Sequence, residues 1–382
     1  MVTSVTIRRP DDFHLHLRQG SLLKELLHHV ANVFGRVIPM PNIRTQDDPF
    51  EDEMPSPPAW NASTMELYRR EIESLLAHIM YVPARETELQ LLMSIALLDE
   101  TKPEHIDDAV QAGAIIAKAY PKNPDDEDEK EPSLLNGPAG EMTTNSEYGV
   151  SDFRAPQLQP TLQAMSDTGL VLSIHGEQPG AFCMDREKEF LTTLVWLHEQ
   201  YPNLKIVLEH ITTKAALDCV RSLGENVAAT VTVHHLLLTL DDVIGGKINP
   251  HNFCKPIAKR HEDQEALLGA VLEGFPRLFL GTDSAPHLRE KKECADGCAG
   301  VFSAPVAMQV LCQLFQECDA LDRLEPFVSE FGARFYGLPL NEDTITLVNE
   351  PWEVPLQCSG VVPYMAGRTL NWQVAGVEVD RW

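Results

Sequence analysis

Leu170-Val171-Leu172-Ser173-Ile174-His175 is followed by a helical pattern over Phe190 to Gln200. Then come Lys205-Ile206-Val207-Leu208-Glu209-His210, a second helical pattern over Thr213 to Leu223, and an extended run from Asn226 to Val233. Short apolar runs separated by longer stretches of helical periodicity read as buried parallel strands joined by crossover helices. The unit recurs on both sides. Downstream, a helical pattern over Glu262 to Glu273 precedes Arg277-Leu278-Phe279-Leu280-Gly281-Thr282-Asp283. Upstream lie Ile115-Ile116-Ala117-Lys118-Ala119-Tyr120, Leu91 to Leu97 (which also passes for a buried helix turn) and Arg36 to Asn42. An opening strand holds Val5-Thr6-Ile7 and ends at His14 and His16. Helices are expected over Ser21 to Val33, Thr64 to His78 and Pro103 to Ala112, the last with proline in its first turn. Gln46 to Ser63 is acidic and proline-rich and reads as a surface loop. Ile79 to Glu88 is ambiguous. Eight strands alternating with helices predict an α/β fold, a closed (β/α)8 TIM-type barrel. A doubly wound open sheet competes, but no glycine-rich phosphate turn follows the first strand.

The barrel is expected to occupy residues 1–340, ending in helices over Ala304 to Gln316 and Leu321 to Phe331. Residues 341–382 read as a C-terminal extension packed on it. The chain has 382 residues, 43% of them hydrophobic, and a formal charge of −26. That charge argues against nucleic acid or an anionic membrane surface as partner, although a few local cations can still attract a small anion. No apolar run has the length of a signal peptide or a membrane span. The eight scattered cysteines fit reduced thiols and a cytoplasmic location better than a disulfide framework. Cys294 and Cys298 form a spaced pair, but a structural zinc there lacks a second pair.

In a (β/α)8 barrel the C-terminal ends of the strands surround one mouth. His14 and His16 stand at the first of these ends, on one side of an extended chain, and Arg18 extends the alternation by one step. Lys118 lies in the fourth strand, His175 and His210 end the fifth and sixth, and Asp283 ends the eighth. Singly, a strand-end histidine is more often a hydrogen-bonded loop residue than a ligand. Six such groups on one rim argue for a metal centre. Lys118 has two readings. It snorkels its ammonium to the surface, or carbon dioxide has capped the amine as a carbamate, turning a cation into a bridging carboxylate-like ligand. In the second reading His14, His16 and Asp283 hold one metal and His175 and His210 the other, with Lys118 between. Nitrogen and oxygen donors without thiolate suit zinc, with cobalt or manganese as substitutes.

Several stretches resemble the amidohydrolase superfamily, and within it the single-function bacterial and fungal dihydroorotase family. They are Arg9-Pro10-Asp11-Asp12-Phe13-His14-Leu15-His16-Leu17-Arg18, Pro39-Met40-Pro41-Asn42, Ala117-Lys118-Ala119-Tyr120-Pro121, Thr143-Thr144-Asn145-Ser146 and His175-Gly176-Glu177. Glu209-His210-Ile211-Thr212-Thr213-Lys214, Gly281 to His287, Cys298-Ala299-Gly300 and Phe335 to Pro339 continue the set, with a weaker echo in Leu370-Asn371-Trp372. The resemblance implies reversible cyclisation of N-carbamoyl-L-aspartate to L-dihydroorotate in pyrimidine biosynthesis. It implies two Zn2+ per chain bridged by N6-carboxylated Lys118, and a hydroxide held by both metals as the attacking group. Arg18, Asn42 and His287 would clamp the substrate carboxylate, and His175 would border the substrate as well as a metal. Asp283 would carry the proton between water and the ring nitrogen. Main-chain groups of Lys255 and Ala299 would meet the pyrimidine ring, and Thr143 and Thr144 belong to a loop that would close over it. The expected partner is this small molecule, and the expected assembly a homodimer.

The chain departs from the compact family pattern at Pro121 to Met142. That insertion carries Asp125-Asp126-Glu127-Asp128-Glu129, a composition that reads as a solvated charge run and not as a calcium loop. His234 and His235 end the seventh strand, where packing is favoured over ligation. Other ring amidases, such as hydantoinase or allantoinase, are the nearest rivals, and Arg18 and Asn42 argue against them. A metal-free scaffold barrel is a rival of another kind, and the complete ligand set argues against it.

Overall fold

The computed structural model describes residues 2–42, 58–79, 88–122, 143–144 and 148–377. Eight parallel strand positions form the centre. In chain order the strands are β1 (Ser4–Arg8), β2 (Asp11–Leu15), β3 (Arg36–Pro39), β4 (Gln90–Leu91), β5 (Met93–Leu97), β6 (Ala114–Ala119), β7 (Val171–His175), β8 (Ile206–Glu209), β9 (Val227–Val231) and β10 (Leu278–Leu280). Strands β5 to β10 form one six-stranded parallel sheet, and β2, β3 and β4 a second parallel sheet. The two are halves of one barrel. β4 and β5 are a single strand interrupted at Leu92, whose N–H still donates to Val37 O at 2.9 Å. At the other seam Leu15 bridges Ser284 in parallel, and Asp283 N donates to His14 O at 2.7 Å.

Side-chain alternation explains the two cores. Leu172, Ile174, Ile206, Leu208, Ala229 and Leu280 face the surrounding helices in the larger cluster. Phe13, Ile116, Val171, Val207, Ala228 and Phe279 fill the barrel interior, where Phe335, Tyr336 and Leu338 pack against them. Further along β6 to β9 the interior positions turn polar: Lys118, Ser173, Glu209 and Thr230, all shut off from solvent. An apolar floor thus supports a polar mouth at the C-terminal strand ends.

The helices keep their expected places with shifted ends, such as Gly20–Ala31, Ala62–Leu76, Arg186–Gln200, Lys214–Ser222 and His261–Glu273. Two expectations need correction, and one helix was missed. Val5-Thr6-Ile7 is not part of the first barrel strand. It lies in β1, which pairs antiparallel with β11 (Thr344–Val348); Pro10, without an N–H, separates it from β2. The run over Leu321 to Phe331 is helical as expected but irregular: a 3-10 turn over Leu321–Arg323 and a wider π-type turn over Pro326–Glu330 lead without a break into an α-helix over Phe331–Tyr336. The helix expected from Ala304 starts at Ala307, after Pro305. A helix at Gln159–Thr168, between β6 and β7, escaped the sequence reading because its apolar face is short. Leu91 to Leu97 is strand. The acidic run Asp125 to Glu129, most of the loop from Gln46 and most of the ambiguous stretch from Ile79 lie outside the described residues. Among the described residues no helix is long and apolar enough to cross a membrane, and all eight cysteines are free thiols.

Candidate active site

His14 and His16 do converge. Asp283 Oδ1 lies 3.4 Å from His14 Nε2 and 3.1 Å from His16 Nε2. Two donors each about 2.1 Å from one tetrahedral metal would stand about 3.4 Å apart. On the other side of the mouth, His175 Nδ1 and His210 Nε2 are 3.2 Å apart. Lys118 is completely buried and its Nζ makes no hydrogen bond among the described residues. Burial pulls its pKa down to about 8, against the upward pull of Glu209 and Asp283. The snorkelling alternative therefore fails: the ammonium end stays inside, 5.2 Å from the Tyr120 ring centre.

Backbone strain accompanies the site. Arg18, His210 and Asp283 have φ of 63°, 39° and 44°, a left-handed conformation that costs residues other than glycine on the order of 1–3 kcal/mol. This corrects the expectation for Arg18. The strand ends at Leu15, so Arg18 does not continue an extended alternation. Its guanidinium nevertheless turns inward: Nε donates to Pro286 O at 3.1 Å and an Nη to His287 Nε2 at 2.9 Å. Gly281 is needed at the seam, since a Cβ there would stand 2.9 Å from both His14 Cβ and Thr230 Cβ.

The remaining expected residues lie as follows. Asn42 is half-buried, its Oδ1 without a hydrogen bond among the described residues. Thr143 is buried and donates its hydroxyl to Pro121 O at 2.9 Å, just beyond β6. Thr144 O accepts from Lys255 Nζ at 3.5 Å, which puts the threonine pair beside the Lys255 loop. Ala299 is buried, and the next residue, Gly300, donates its N–H to Phe253 O at 2.9 Å. The segments carrying Lys255 and Ala299 are thus held side by side.

Four buried supports were not assigned roles from the sequence. Glu209 Oε2 lies 2.8 Å from His14 Nδ1, while Ser173 and Thr230 hydroxyls each donate to its carboxylate at 2.5 Å. Burial alone would raise the Glu209 pKa, but His14, the Lys118 amine and the Ser173 hydroxyl hold it low. Burial likewise opposes charge on His14, yet Glu209 and Asp283 together push its pKa up. Asp12 accepts from Thr282 N and Oγ1 at 2.8 and 2.5 Å and from His14 N at 3.2 Å, bracing β2 against the Asp283 turn. Its burial raises its pKa to about 7. Glu177 Oε2 accepts from His175 Nε2 at 2.9 Å, which leaves the Nδ1 lone pair facing His210. Lys292 Nζ donates to Phe253 O at 3.2 Å, Cys298 O at 3.0 Å and Gly300 O. A carboxyl one residue before or two after a strand-end histidine was the available signal for Glu209 and Glu177. Lys292 offered none, because its partners are main-chain carbonyls.

The donor set fits a cation. His14 sits between Glu209 and Asp283, so positive charge is favoured there, and imidazole and carboxylate atoms converge at metal-ligand spacing without a thiolate. A parallel barrel with such a mouth defines the amidohydrolase class of barrel enzymes. No protein-family profile matches the chain. Dihydroorotase of Marinobacter nauticus is 43% identical over 98% of this chain and 100% of its own. The crystal structure of dihydroorotase from Campylobacter jejuni superposes with a TM-score of 0.81 at 35% identity, covering 98% of each chain. That of the Saccharomyces cerevisiae dihydroorotase in complex with 5-fluoroorotic acid gives 0.79 at 30%, again over 98% of each. The chain belongs to the dihydroorotase family.

Proposed function

We propose that the mouth holds two zinc ions, bound by His14, His16 and Asp283 on one side and by His175 and His210 on the other. Lys118, carboxylated on Nζ, would supply oxygen donors between the two sets. The chain is a dihydroorotase: it interconverts N-carbamoyl-L-aspartate and L-dihydroorotate in pyrimidine biosynthesis. The observation that carries the metal reading is the approach of His14 Nε2, His16 Nε2 and Asp283 Oδ1, beside a buried lysine amine without a hydrogen bond. With a pKa drawn to about 8, that amine is neutral often enough to add carbon dioxide and release a proton.

When bound, the metals supply an activated water and polarise the amide carbonyl. The chain's own residues do the rest. Asp283 accepts the proton of the attacking water and delivers it to the departing ring nitrogen; in the synthetic direction it takes the proton from the carbamoyl nitrogen. Arg18 receives the free carboxylate, its guanidinium plane fixed by His287 and Pro286. Asn42 and His287 complete that clamp, and His175 lies beside the substrate. Main-chain groups of Lys255 and Ala299 meet the ring, and Thr143 and Thr144 cover it to exclude water. The working form is a cytoplasmic homodimer, checked by sedimentation.

A dihydroorotate ring-opening assay with zinc measured on the same sample tests the reading. Turnover with close to two zinc ions per chain is expected. Protein that opens 5-substituted hydantoins but leaves dihydroorotate intact would overturn the substrate assignment. Full turnover at well under one zinc per chain would overturn the metal assignment.

A further inference from the structure

We propose that His234, His235 and Cys254 form a separate site for a thiophilic divalent cation such as zinc, beside the barrel mouth and built on different residues. His234 and His235 follow β9, and Cys254 lies in the loop that leads to Lys255. All three are cut off from solvent. One donor atom from each lies within 4.8 Å of the other two.

The strongest sign is His234. Neither of its ring nitrogens has a hydrogen-bond partner among the described residues, although the side chain is wholly buried. Buried imidazoles are ordinarily satisfied, and an orphaned one points to a missing ligand. The second sign is a distance. Cys254 Sγ stands 3.4 Å from His235 Nε2, and a sulfur and a nitrogen sharing one tetrahedral zinc would be about 3.5 Å apart.

His235 can adapt. Its Nε2 lies 3.0 Å from Pro256 O and carries the ring proton in this arrangement. Its Nδ1 lies 3.0 Å from Thr232 Oγ1, a hydroxyl able to donate or accept. Shifting the proton to Nδ1 preserves the Thr232 bond and turns the Nε2 lone pair toward Cys254. Such a histidine, with its far nitrogen bonded to a fixed oxygen, is the usual form of a metal ligand. Binding then replaces the Cys254 thiol proton, which leaves with solvent. Pro256 O, 3.0 Å from His235 Nε2 and 3.4 Å from Cys254 Sγ, is the donor at hand for a fourth position. A cation there would tie the end of β9 to the loop carrying Lys255.

The donors separate this site from the mouth, whose ligands are nitrogen and oxygen alone. The full-length chain is stripped with a chelator and titrated with Co2+. A thiolate-to-cobalt charge-transfer absorption in the near ultraviolet is expected, in addition to the visible bands of cobalt at the mouth. Cys254→Ser should abolish the charge-transfer band and lower bound cobalt by one ion per chain while the visible bands of the mouth remain. His234→Gln, which retains bulk and polarity, should weaken cobalt binding in the same band by at least tenfold and serves if the cysteine variant does not fold. Absence of the band in the parent chain, or its persistence undiminished in both variants, overturns the proposal. Loss of the visible bands alone would count against the mouth assignment and leave this one standing.

Discussion

Glu209 Oε2 lies 2.8 Å from Nδ1 of His14, and neither side chain reaches solvent. The carboxylate favours the tautomer with its proton on Nδ1, leaving the Nε2 lone pair for a metal. Ser173 and Thr230 hydroxyls hold it in that position. Glu209→Gln keeps the size but removes the charge and can present an N–H where an acceptor is needed. Zinc affinity should fall about 10- to 100-fold, read by competition with a chromophoric chelator. Unchanged affinity would show that Glu209 merely fills space.

Arg18 is buried with its guanidinium plane set by Pro286 O and His287 Nε2. A lysine offers one point charge and no planar fork. Arg18→Lys should raise KM for dihydroorotate about 10- to 100-fold, corresponding to about 1.4–2.7 kcal/mol, and change kcat little. Steady-state kinetics in the ring-opening direction provide the check. A fall in kcat at constant KM would move Arg18 from substrate binding to the chemical step.

The barrel was legible because parallel strands buried on both faces leave runs such as Leu170 to Ile174 that periodicity detects. Less legible was what interrupts a strand. Pro10 separates β1 from β2, and the partner of β1 is Thr344–Val348, more than three hundred residues away. No local pattern encodes that pairing. At the site, the expected metal-binding residues each announced themselves by type and by position at a strand end. Asp12 did not, because a carboxylate that braces a histidine looks in sequence like any strand polar residue, and Glu209 offered only its place beside His210. Their burial and their bonds to Thr282, Ser173 and Thr230 reveal the bracing role. The left-handed backbone at Arg18, His210 and Asp283 was equally invisible, since none is glycine.

Lys118 tests the bridge. Its burial without a hydrogen bond among the described residues has a high cost unless the amine is modified or neutral. Lys118→Ala should deplete at least one metal per chain and cut turnover by at least about 1000-fold, on the order of 4 kcal/mol in the barrier. Metal content by mass spectrometry and ring-opening rates on one preparation are compared. Near-normal activity in the variant would eliminate the carbamate.

Lys292 ties three carbonyls together: Phe253 O, Cys298 O and Gly300 O. Two of these flank Ala299 and the third lies two residues before Lys255, the main-chain positions proposed above to meet the pyrimidine ring. Lys292→Met keeps the aliphatic stem but leaves buried acceptors without that donor, at about 1–3 kcal/mol for each one not re-satisfied. A lower Tm follows from that alone. If Lys292 also sets the two segments for the substrate, KM for dihydroorotate should rise at least tenfold while zinc per chain and kcat stay near the parent values. A purely structural lysine would lower Tm and leave KM where it was, so the two measurements together decide whether this buried cation positions the ring-binding backbone.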